Sequence, residues 1–125
     1  MGLDVSHDCW QGAYSSFHQF RDRIAKVAGI TLDEMRGFSL SRGGISWDSL
    51  QPDALHTLLN HSDCDGYIEA ADCAPLADRL EEILPLLAEE TDKDDREAAW
   101  YVQKARQFID GLRLAASAGE RVEFY

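Results

Sequence analysis

Residues 61–72 read HSDCDGYIEAAD. Asp63, Asp65, Glu69 and Asp72 place four carboxylates on this stretch. His61 opens it, Cys64 stands between the first two acids, and Gly66 lies near its centre. Alternating acids on a tight turn converge on one point. A hard divalent cation such as calcium takes roughly six to eight oxygens. Glycine lets the backbone bend where the turn is sharpest. Imidazole and thiolate are softer donors that suit zinc, copper, nickel or iron. The chemistry on offer is cation binding, and the donor set leaves both classes of ion open.

A second polar cluster, Ser6-His7-Asp8-Cys9, lies near the N-terminus. Read as a strand, it puts His7 and Cys9 on one side. A thiol beside an imidazole can make a nucleophile and its base. The two could also join His61, Asp63 or Cys64 in a mixed transition-metal site. A catalytic pair needs a third group to orient the base, and the sequence identifies none. The expectation is a strand end whose polar groups satisfy one another. Walker, dinucleotide-turn, GxSxG and HExxH patterns are absent, so a non-enzymatic protein is expected.

The charge balance narrows the partners. The chain of 125 residues has a formal net charge of −11. Residues 60–97 carry thirteen acids against three bases, almost the whole imbalance. Nucleic acid needs a basic patch, so direct binding to it is disfavoured. A cation or a basic protein partner is favoured. Three cysteines, an odd number without a signal-like N-terminus, point to a reducing cytoplasm rather than a disulfide framework. There is no long apolar run, so no membrane span is expected.

The elements that must hold these groups read mainly as helix. Tyr14, Phe17, Phe20, Ile24 and Val27 recur at helical spacing over 13–28, and Gly29 stops the run. Thr31 can cap a short turn through Arg36. Residues 37–48 read as a loop or small hairpin around Gly43 and Gly44. Pro52 suits the start of a helix with Leu55, Leu58 and Leu59 on its inner face. Leu76, Leu80, Ile83, Leu84 and Leu87 mark the helix after the acidic loop, with a kink or early end expected at Pro85. That helix starts near Ala70, where Pro75 costs it a hydrogen bond, or near Asp72, which then caps it. Thr91 and Asp94 suggest a capping box before a last helix over about 94–117. GLDVS and RVEFY read as short strands at the two ends, with Gly12 breaking the first, and can pair with each other. Trp10, Trp47 and Trp100 are expected in or near the core.

HSDCDGYIEAAD resembles the calcium loop of EF-hands and dockerin modules. Glycine stands at its sixth place, aliphatic Ile68 at its eighth, and Asp72, Leu76 and Leu80 repeat the dockerin spacing. The resemblance implies His61, Asp63, Asp65, the Tyr67 carbonyl, Glu69 through water, and Asp72 as the ligand set. His61 is the departure from a calcium pattern. MGLDVSHDCWQGAY and LLNHSDCDGYI resemble stretches of a group of small uncharacterised bacterial and phage proteins. That implies a bacterial or mobile-element setting. The reading is a single mainly α (α+β) domain over 1–125, with an EF-hand-like helix–loop–helix and a minor β element from the two ends. The expected role is a small acidic cytoplasmic protein whose loop either persists without metal, with His61 and Asp72 bonding the backbone, or holds Ca2+, alternatively Zn2+. The competing role is an inhibitor that binds a basic host protein through its acidic face.

Overall fold

The computed structural model describes residues 2–35, 44–51, 53–61, 66–89 and 95–125. Among the described residues four helices carry one hydrophobic core, with short strands at its edge. Helix α1 spans Tyr14–Val27 and buries Phe17, Phe20 and Ile24, as their spacing requires. Helix α2 is one turn, His56–Leu59. Helices α3, Ala70–Glu89, and α4, Asp95–Ala118, pack on each other along their lengths. Leu76, Leu80, Ile83 and Leu87 meet Ala105, Phe108, Leu112 and Ala115 in the shared core. Each such leucine contributes about 1.5–3 kcal/mol by leaving water. Among the described residues no helix is long and apolar enough to cross a membrane.

Strands β1, Gly2–Val5, and β2, Trp10–Ala13, form an antiparallel hairpin. The expected single strand broken at Gly12 is therefore two strands, with Gly12 inside the second. The break lies at His7 and Asp8, whose φ angles of 61° and 57° are left-handed. The Cys9 N–H donates to Ser6 O at 3.2 Å and closes a two-residue turn. Positive φ at both central positions is the type I′ hairpin turn, which Asn-Gly fits best. An L side chain in that region costs about 1–2 kcal/mol. Asp8→Gly is accordingly expected to raise stability by about 1 kcal/mol. An upward shift of the urea midpoint at constant slope checks it.

The C-terminal segment lies between two partners. Strand β4, Val122–Glu123, pairs with β3, Tyr67–Ile68, at the end of the acidic loop. Its far side bonds β1: Asp4 N–H donates to Tyr125 O, Tyr125 N–H to Asp4 O, and Ser6 N–H to Glu123 O, at 2.8–2.9 Å. The expected pairing of the two ends is present, and the loop strand is a second partner that the sequence did not indicate.

Three further expectations change. The helix drawn from Pro52 shrinks to one turn, because Asp53 instead organises the segment: its Oδ1 accepts from Leu55 N at 3.0 Å and from Arg79 Nε at 3.1 Å. Helix α3 starts at Ala70 and runs through both prolines to Glu89, so Pro85 does not end it early. Packing along α4 outweighs the one hydrogen bond that each proline removes. Thr31 does stand at the N-cap of a short turn, Leu32–Glu34, but its hydroxyl makes no cap bond. The Gly43 loop and the Thr91–Asp94 capping box lie outside the described residues.

The Asp53–Arg79 pair carries a pH signature. Burial resists ionisation of Asp53, but the Leu55 N–H and the Arg79 guanidinium outweigh it and hold its pKa below the ordinary 3.8. Stability from a carboxylate shifted down is complete above the unfolded-state value and is lost as pH falls through the folded value. Asp53→Asn is therefore expected to be less stable than wild type at neutral pH. The gap should close below about pH 4. Urea midpoints across that range check it.

Candidate functional site

The described part of the acidic loop is built around the His61 imidazole. Helix α2 ends at Leu59, and the chain turns to present His61. The ring stacks on Phe124, with centroids 4.2 Å apart. Its Nε2 lies 3.2 Å from the Tyr67 carbonyl oxygen. A carbonyl only accepts, so in this contact Nε2 carries the proton. Gly66 sits beneath the ring with φ +92°. A β-carbon there would stand 3.2 Å from His61 Cε1. Gly66 thus serves twice: it supplies the left-handed turn and leaves room for the imidazole.

Beyond the turn the expected anchoring holds. Ile68 is buried in the core, and its strand pairs with Val122. The Tyr67 side chain faces outward under the Arg121 guanidinium, 4.4 Å from its ring centre. Glu69 is exposed, while its carbonyl accepts from Asp72 N at 2.9 Å and from Cys73 Sγ at 3.3 Å. Asp72 is exposed in the first turn of α3, where the helix dipole favours a carboxylate. The structure thus brings His61 and the Tyr67 carbonyl together and leaves Glu69 and Asp72 on the rim. Asp63, Cys64 and Asp65 lie outside the described residues. Among the described residues no three His, Cys, Asp or Glu side chains are grouped to hold an ion.

The N-terminal cluster resolves differently from its sequence reading. His7 and Cys9 do not share one side of a strand, because the type I′ turn separates them. Cys9 is fully buried, and burial, then Cys73 and Asp8, push its pKa up to about 12. It is a thiol at neutral pH and not a nucleophile. The imidazole of His7 instead joins Ser6 Oγ, 2.8 Å from its Nδ1, and Glu120 Oε1, 3.1 Å from its Nε2. Glu120 is the third, orienting group that the sequence could not identify, because it lies on the far side of the chain. The row still does not make a catalytic site. Ser6 Oγ also accepts from Glu123 N at 2.9 Å, which fixes the hydroxyl between the strands. The open groove beside His7, about 490 Å³, is lined by Asp8, Arg106, Gln107 and Leu114 among others, and not by Ser6. The arrangement ties the hairpin turn to the C-terminal strand.

Two other residues at the site escaped the sequence reading. Phe124 belongs to a terminal strand and meets the loop only through packing. Arg21 stands beside Phe20 on the apolar stripe of α1. A charged residue on a buried helix face was the available signal.

No family model, curated protein or solved structure matches this chain.

Proposed function

We propose that the chain is a small, acidic, non-enzymatic cytoplasmic protein whose 61–72 loop binds a divalent cation. The observation that carries this reading is the approach of His61 Nε2 to Tyr67 O at 3.2 Å. These are the first and seventh donors of the twelve-residue pattern. Two donors on one ion, at the usual bond lengths and angles, stand about 3–3.4 Å apart. An ion would take the place of the proton now shared between them. Asp63 and Asp65 complete the proposed ligand set, with Glu69 and Asp72 closing it from the rim. The imidazole favours a zinc-class ion over calcium.

Titration calorimetry of the EDTA-stripped protein tests the reading. Zinc is expected to give saturable heat that both His61→Ala and Asp65→Ala remove. Heat with calcium that survives His61→Ala would shift the site to an all-oxygen calcium loop. No heat with either ion sinks the reading.

A second reading has its own support. Asp78, Glu81 and Glu82 stand on the outer face of α3 with side chains 57–71 % exposed. Carboxylates spread outward along a helix suit a basic protein surface rather than a bound ion. Arg79 and Arg113 neutralise part of that face. A fluorescent oligolysine peptide should bind and should be released as salt rises. Salt-independent binding, or none, removes this alternative.

A further inference from the structure

Among the described residues Arg21 is the charged side chain buried in the core, at 1 % exposure. It projects from α1, with its guanidinium 4.7 Å from the ring centre of Phe17. Its Nη1 donates to His61 O at 2.5 Å and lies 3.5 Å from Leu58 O and Leu59 O. The last carbonyls of a helix have no partners within it. Arg21 supplies donors to those of α2 from a different helix. Its tightest contact is to the first residue of the acidic loop.

We infer that Arg21 is the positioning residue of this loop. It clamps the His61 backbone so that the imidazole meets the Tyr67 carbonyl, and it thereby sets the loop's affinity for a divalent cation. The argument is geometric. His61 is held at three points: its carbonyl by Arg21, its ring face by Phe124, and its Nε2 by Tyr67 O. The last two depend on where the first puts the Cα. All three contacts come from Nη1, whose place is set by the planar guanidinium lying against the Phe17 ring. A lysine ammonium is a point charge on a flexible stem and does not keep that placement. The affinity half of the inference rests on the cation reading above. The positioning half does not.

The test uses Arg21→Lys, which keeps the charge, and Arg21→Gln, which leaves no buried charge if the lysine variant folds poorly. Imidazole ¹H–¹⁵N correlation spectra report each ring. His61 resonances, displaced by the Phe124 face, are expected to move toward those of an unstacked histidine. Those of His7, held by Ser6 and Glu120 at the hairpin turn, should stay. The zinc dissociation constant is expected to rise about tenfold, in the range for residues that orient a ligand. Unmoved His61 resonances in a folded variant overturn the inference, as do His7 resonances that move equally. If wild type binds neither zinc nor calcium, the cation reading fails alone, and the ring spectra still decide the role of Arg21.

Discussion

Replacing Gly111 with alanine is expected to destabilise the protein by roughly 2–3 kcal/mol, the cost of forcing a methyl group into a packed interior. The usual rule has the opposite sign. In an ordinary helix interior this change stabilises by about 1 kcal/mol. Gly111 lies inside α4 at the point where the hairpin turn presses on the helix. A β-carbon there would stand 2.5 Å from Cys9 Sγ, 2.7 Å from His7 O and 3.1 Å from Cys9 Cα. Two of these three atoms belong to the backbone, and Cys9 has no exposed surface into which to swing. The turn cannot retreat cheaply either, because Gln107 Nε2 donates to Asp8 O at 2.8 Å and holds it against α4. Cys9→Ala in the Gly111→Ala background should recover only part of the loss, since the His7 carbonyl remains in the way. Urea unfolding of the two single variants and the double closes the cycle. A Gly111→Ala protein as stable as wild type would mean that the turn does not dock as described.

Phe124→Ala is expected to cost about 3–5 kcal/mol, the range for removing a buried aromatic ring. Phe124 is 4 % exposed. It meets Phe17 edge-on at 5.9 Å and carries the His61 ring at 4.2 Å. The loss should therefore reach past the core. His61 would be left without the surface that orients it, and its ring resonances should move even at temperatures where the variant stays folded. Tyr125→Ala is the control: its side chain is 63 % exposed, and a change within about 0.5 kcal/mol is expected. Equal losses from the two substitutions would show that the strand alone, and not the Phe124 ring, supplies the stability.

Much of the fold was legible because helices announce themselves locally. Phe17, Phe20 and Ile24 fix the inner face of α1, and Tyr101, Ala105, Phe108 and Leu112 do the same for α4. The strands were harder. Each is two to four residues long, too short for alternation to be decisive. The turn at His7 and Asp8 was hidden because it lacks the Asn-Gly pair that marks a type I′ turn. Pro85 misled for a different reason: its penalty is local, and the packing that offsets it is tertiary. At the candidate site, glycine spacing located the turn and the buried place of Ile68. The partners of the two histidines could not be read. Glu120 for His7, and Phe124 and Arg21 for His61, are distant in the chain and reach their places only through packing.

The strip formed by β1, β4 and β3 has a consequence for the order of assembly. Half of the chain separates His61 from the Phe124 ring on which it rests. The long helices α3 and α4 are close in sequence and can meet early, since contacts of short loop length form fastest. Strand β4 follows both of its partners in the chain, and it bonds both the first strand and the acidic loop. A nascent or C-terminally clipped chain would carry its helical pair with the imidazole still undocked. Docking of the His61 imidazole thus waits until β4 has been made. Removal of residues 122–125 should leave it undocked while most of the helix content remains.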